Sequence, residues 1–70
     1  MISEQDIYNR FTYHAPTGDQ PEKYVRLRAH AKELAMLILY NCPDSREQSL
    51  AITKLEESIF WANAAIARNE

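Results

Sequence analysis

Two apolar seams, each stepping by three and four residues, lie almost end to end in this chain. The first is Tyr24, Leu27, Ala31, Leu34 and Ile38; the second is Ile52, Leu55, Ile59, Ala62 and Ile66. That rhythm places each set on one narrow stripe of a helix, as in coiled coils and helical hairpins. Between the seams, Cys42 and Pro43 stop the first helix, because a residue before proline is driven out of the helical region. Pro43 and Asp44 leave room only for a reversal, so the two helices run antiparallel. Each is roughly 30 Å long at about 1.5 Å per residue.

The helix starts are marked as well. Asp19 with Glu22 has the form of a capping box, and Pro21 is tolerated in a first turn, so this helix runs to about Asn41. Asp44 with Glu47 offers another box directly after Pro43, and Ser45 with Gln48 offers a second register. Upstream, Ser3 can cap a short helix to about Arg10, with Glu4 and Asp6 in a first turn that favours negative charge. The expected fold is all-α: a short N-terminal helix plus a long antiparallel helical hairpin. It forms one domain over residues 1–70 and assembles as a homo-oligomer.

Self-association is expected from size. A chain of 70 residues buries only about 60% of its unfolded surface and gains a few kcal/mol from its core. Cys42 is the only cysteine, so no internal disulfide forms, and His14 and His30 lack the partners of a metal site. Val25, Met36, Leu39, Tyr40, Phe60, Trp61 and Ala64 fall off the seams. They form either an interface, helped by the small residues Ala62, Ala64, Ala65 and Ala67, or a surface that the first helix and loop fold over.

Eight basic and ten acidic residues give a formal charge of −2, which disfavours backbone binding of a DNA or RNA duplex. The N-terminus is polar and acidic, and the longest apolar run, Leu34 to Tyr40, spans seven residues and cannot cross a bilayer. A cytosolic protein with no membrane partner is expected. No catalytic constellation stands out. Glu56 and Glu57 are adjacent on a helix, where neighbours point about 100° apart and do not converge as a dyad; they are read as a solvated or salt-bridged face, with Lys54 as one partner. No cofactor is implied.

The binding groups are more suggestive. Tyr13 and His14 lie in the loop Phe11–Gln20, too short for regular structure, which is either pinned to a core or offers flat faces to a flat ligand. Arg26, Arg28 and Lys32 follow in the second helix. Arg28 and Lys32 share a face four residues apart, a mildly unfavourable spacing unless an anion lies between them. The alternative is a solvated surface or pairing with Glu22 and Glu33. Ser45 and Arg46 occupy a helix start that favours anions, and Arg68 lies near the C-terminus, where it complements the helix dipole. Flat rings, guanidiniums and a hydroxyl at a helix N-terminus are groups that recognise a small nucleotide with splayed bases.

Beyond these groups, the runs Phe11-Thr12-Tyr13-His14, Gly18-Asp19-Gln20, Asp44-Ser45-Arg46-Glu47, Ser49-Leu50-Ala51, Thr53-Lys54-Leu55-Glu56-Glu57 and Trp61 through Glu70 resemble a family of small phage proteins. These are the anti-CBASS cyclic-nucleotide sponges, related to sponges that counter Thoeris immunity by trapping cyclic ADP-ribose isomers. The resemblance covers nearly the whole chain from Phe11 onward. It implies a non-enzymatic homohexamer built from dimers, acting in the host cell cytoplasm. Such an assembly holds cyclic dinucleotides such as 3′,3′-cGAMP between two protomers, and cyclic trinucleotides at separate sites near three-fold axes. By position, Tyr13 is similar to the residue that stacks on a base and Arg28 to a basic residue near the phosphates. Arg68 and His30 resemble the trinucleotide site. The family often has proline where this chain has Ala15, so its loop is less rigid here. Two other functions fit the residues: a sponge for cyclic ADP-ribose isomers, and a helical oligomer that binds another protein through its apolar flank.

Overall fold

A computed structural model describes residues 1–70. It contains three helices and no strand: α1 (Glu4–Phe11), α2 (Gln20–Asn41) and α3 (Arg46–Asn69). No helix is long and apolar enough to cross a membrane. α2 and α3 pack side by side as an antiparallel hairpin, and α1 lies at the end where α2 begins and α3 finishes.

The caps explain where each helix begins. Ser3 Oγ accepts from the Asp6 N–H at 3.1 Å while the Asp6 carboxylate accepts from the Ser3 N–H at 2.9 Å, a reciprocal box that starts α1. α3 uses the Ser45 register: Ser45 is extended, and its Oγ accepts from the Gln48 N–H at 3.1 Å and donates to the Pro43 carbonyl at 2.9 Å.

The box expected from Asp19 and Glu22 does not form. Two local facts account for this. Pro21 has no N–H, which removes one of the two donors an N-cap side chain normally takes. Asp19 also has φ −90° and ψ 5° rather than an extended backbone, so its carboxylate turns to Lys23 at 3.8 Å. Gln20 closes the turn instead. Its backbone N–H donates to the Thr17 carbonyl at 3.0 Å, and its side-chain oxygen accepts from the Thr17 N–H at 3.1 Å. Gly18 supplies the positive φ of 56° that this turn needs.

Gln48 joins the two long helices. Besides its capped N–H, its side-chain amide donates to the carbonyls of Leu39 at 3.2 Å and Cys42 at 2.9 Å. These acceptors sit where α2 runs out of helical donors.

The second seam holds throughout: Ile52, Leu55, Ile59, Ala62 and Ile66 are all half-buried. In the first, Tyr24, Leu27, Ala31 and Ile38 are half-buried, but Leu34 is 47% exposed and Ala35 is the half-buried residue in that turn. The helix period of 3.6 residues drifts away from a strict three-four pattern over this length. Of the off-seam set only Ala64 is half-buried, and the larger side chains stay open. Phe60 and Trp61 are 63% and 62% exposed, and Val25, Met36, Leu39 and Tyr40 are also open.

No apolar side chain is buried, and the one buried residue is Gln20. The reason is dimensional: the molecule measures 44 × 31 × 14 Å. Its least dimension is close to one helix with side chains, about 10–12 Å. A single layer of helices has one seam and nothing above or below it. The exposed surface is 5914 Å² for 8.1 kDa, where a compact monomer of that mass exposes about 4,500 Å².

Removing the Gln48 amide should loosen the hairpin without touching the α3 cap. Gln48→Ala is expected to lower unfolding stability by about 1–2 kcal/mol, read from urea midpoints at fixed protein concentration. Ser45→Ala should cost about 1 kcal/mol through the cap alone.

Candidate functional site

The loop between α1 and α2 treats its two central residues in opposite ways. Tyr13 is 84% exposed, whereas His14 is half-buried. His14 Nε2 lies 2.8 Å from the Asn9 carbonyl. A carbonyl only accepts, so this nitrogen carries the proton, and in the neutral ring Nδ1 is left as the acceptor. The Asn9 side-chain amide in turn donates to the Arg68 carbonyl at 3.4 Å. The loop is thus tied through α1 to the last turn of α3, and the Tyr13 ring is left outside.

A second tie closes the same end of the hairpin. Lys23 Nζ reaches the Glu70 carboxylate at 2.6 Å, and Gln20 Nε2 approaches it at 3.5 Å. The Lys23 hydrogen bond is the main reason the Glu70 carboxyl titrates below its ordinary value, and Glu70 raises Lys23 in return. Both side chains are about two-fifths exposed, at 40% and 38%, so solvent screens this contact and it orients more than it stabilises.

The charges are divided by residue type. Lys23 pairs with Asp19 and Glu70, and Lys54 pairs with Glu57 at 3.4 Å. Arg10, Arg26, Arg28, Arg46 and Arg68 have no carboxylate partner, nor does Lys32. Pairing of the α2 arginines with Glu22 or Glu33 does not occur. Free guanidiniums with a planar donor fork suit phosphate oxygens.

Tyr13, His14, Arg26, Arg28, His30 and Arg68 all belong to the half of the molecule where α1, the start of α2 and the end of α3 meet. Arg26, Arg28 and His30 are exposed on α2, and Arg68 is half-buried. Ser45 and Arg46 lie at the other end of the hairpin, about 30 Å along α2, and the Ser45 hydroxyl is committed to the backbone. One chain therefore does not bring these two groups to Tyr13. Two shallow depressions lie on α2, one lined by Pro21, Glu22, Val25 and Arg26, the other by Ala29, Lys32, Glu33, Met36, Leu37 and Tyr40. Neither has an opposing wall from a second helix.

A family model described as "Acb2/Tad1, hairpin domain" matches residues 3–67. The chain belongs to the Acb2/Tad1 hairpin family. No curated protein and no solved structure matches it. The Acb2/Tad1 proteins are the anti-CBASS and anti-Thoeris sponges, which bind cyclic nucleotides.

Within this Acb2/Tad1 hairpin, sequence reasoning gave no role to Asn9, which stands in no motif, or to Gln20 of the Gly18-Asp19-Gln20 run, since both act through side-chain to backbone bonds. Asn63 also went unread. Its Oδ1 is buried without a hydrogen-bond partner, although the residue lies in an otherwise apolar stretch of α3.

Carboxylates near both chain termini are held below their ordinary values: Glu70 by Lys23, and Asp6 by the Ser3 backbone and side-chain hydrogen bonds. A lowered folded-state pKa contributes stability above the unfolded value and loses it as pH falls through the folded one. The melting temperature should therefore drop as pH goes below about 4, and a variant carrying Asp6→Asn and Glu70→Gln should show a shallower drop over that window.

Proposed function

We propose that this protein sequesters immune-signalling cyclic oligonucleotides, cyclic dinucleotides such as 3′,3′-cGAMP and cyclic trinucleotides, without cleaving them. It does so as a homo-oligomer, a hexamer by family resemblance, in the host cell cytoplasm, and so blocks CBASS defence. The observation that carries this reading is an outward Tyr13 on a tied loop, set in the same half of the molecule as unpaired Arg26, Arg28 and Arg68.

Tyr13 stacks on a base, Arg28 and Arg26 meet phosphate, and Arg68 with His30 serves the trinucleotide. Ser45 and Arg46 reach a ligand only if they come from another protomer, given their distance along the hairpin. That requirement agrees with the lack of an opposing wall around Tyr13 in one chain. The surface in excess of a compact monomer is about 1,400 Å², enough for about two contacts of the usual 800 Å² per partner.

Magnitudes favour a built, multi-chain pocket. Competing with nanomolar receptors takes roughly −12 kcal/mol. Stacking gives about 1–3 kcal/mol per base and each charged hydrogen bond about 1.5–3 kcal/mol. Fixing loop backbone costs about 1–2 kcal/mol per residue, so these gains suffice only when the loop is ordered beforehand. Sequestration then needs tight binding and slow release, and the ligand returns intact.

One observation favours a second reading: the matching family model covers the anti-Thoeris sponges as well, and their cyclic ADP-ribose ligands use the same rings and guanidiniums. Competition between the two ligand classes on one preparation separates the readings.

The test is uptake of 3′,3′-cGAMP by calorimetry, followed by denaturation and chromatography of what is released. Intact ligand is expected; degraded ligand would mean an enzyme. Tyr13→Ala should weaken dinucleotide binding by at least about a hundredfold, the loss of one to two stacked bases, while sedimentation shows the same assembly. Arg68→Ala should impair trinucleotide uptake more than dinucleotide uptake, and equal losses would argue against separate sites.

A further inference from the structure

Tyr13 and His14 are consecutive, yet only His14 is anchored. We propose that His14 and Asn9 form a latch that positions Tyr13, acting on ligand affinity through the loop and not by touching the ligand. This rests on the reading of Tyr13 as the stacking residue given above.

The latch is a chain of two bonds. His14 Nε2 donates to the Asn9 carbonyl at 2.8 Å, and Asn9 Nδ2 donates to the Arg68 carbonyl at 3.4 Å. Arg68 lies in the last turn of α3, where carbonyls have no helical donor, so the Asn9 amide serves a group that is otherwise left to water. It is also the only side-chain hydrogen bond from α1 to the hairpin. Asn9 and His14 are both half-buried, and Tyr13 between α1 and His14 is open. Tyr13 directly precedes His14 and is 84% exposed, so fixing the half-buried His14 ring fixes the backbone from which the Tyr13 ring projects. Without the latch the loop is held only at its ends, by Thr12 on the Tyr8 carbonyl and by the Thr17–Gln20 pair. Ligand binding then has to order Tyr13 itself, and affinity falls with no contact removed.

The experiment uses the full chain with Tyr13→Ala, His14→Ala, His14→Gln and Asn9→Ala. Glutamine keeps an N–H at about the reach of Nε2 and lacks the imidazole. Two quantities are read: affinity for 3′,3′-cGAMP, and the rate of chymotryptic cleavage after Tyr13. His14→Ala and Asn9→Ala should lose about tenfold in affinity, the usual scale for freeing a few ordered side chains, and be cleaved several times faster. His14→Gln should stay close to wild type in both. Wild-type affinity in His14→Ala would overturn the latch. So would His14→Gln binding as weakly as His14→Ala, which would mean that the imidazole meets the ligand directly. Should the wild type take up no cyclic nucleotide while His14→Ala is still cleaved faster than His14→Gln, the latch stands and the ligand assignment falls.

Discussion

Thickness governs this molecule. At 14 Å in its least dimension, the hairpin is one layer of helices, and a layer offers a single seam between its members. Every consequence seen here follows from that geometry. The seam residues are half-buried because only one side of each meets a neighbour. Aromatic side chains as large as Phe60 and Trp61 remain open because no second layer exists to receive them. Polar side chains then take over tasks that a core performs elsewhere. Gln48 holds the two helix ends at the turn, Gln20 shapes the entry to α2, and Asn9 attaches α1. A chain built this way has few residues to spare for loops, and the proposed self-association would supply the interior that one layer lacks.

The partition of cations follows the same economy. Lysines make the internal contacts, with Lys23 bridging Asp19 and Glu70 across the hairpin end and Lys54 resting on Glu57. A lysine is a strongly hydrated point charge on a flexible stem, suited to a loose surface tie. The arginines are left without carboxylates although the chain has more acidic than basic residues. An overall charge of −2 therefore conceals a local supply of unneutralised guanidiniums. Such forks suit small phosphodiesters, since duplex binding depends on summed charge and a small ring depends on a few forks placed correctly.

How much of this is legible in the residues depends on range. The hairpin is, because both seams, Pro43 and the short connection act locally and agree with one another. The Ser3 cap is legible for the same reason. Asp19 misleads: its spacing to Glu22 is right, but Pro21 between them removes a donor, and the backbone at Asp19 is already nearly helical. Leu34 misleads because a three-four pattern is only an approximation to 3.6, so Ala35 holds the half-buried place. At Ser45 two registers are equally well formed in sequence, and only the extended backbone there decides between them. The site is less legible than the fold. Residue types single out Tyr13 and the arginines, while the partner of His14 is a backbone carbonyl of α1, which any residue could supply, and a bond from Asn9 to Arg68 leaves no local trace.

The alternation at Tyr13 and His14 shows why a sponge needs a loop of this kind. A ligand held by stacking is held by dispersion and solvent exclusion, both of which require the ring to be in place before the base arrives. A ring in a helix would be in place but shielded on one side by its own helix, and a ring in a free loop would be accessible but disordered. Anchoring the next residue gives exposure and order together, because the half-buried His14 holds the backbone that carries the exposed Tyr13. The cost is a half-buried imidazole that must keep its proton on Nε2, and its benefit appears chiefly in the dissociation rate. On the proposal that Tyr13 stacks on a base, slow release is the functional quantity of a sponge, and it is set by how rarely Tyr13 swings away. The bond that limits that swing runs from the His14 imidazole to the Asn9 carbonyl and includes no atom of the ligand.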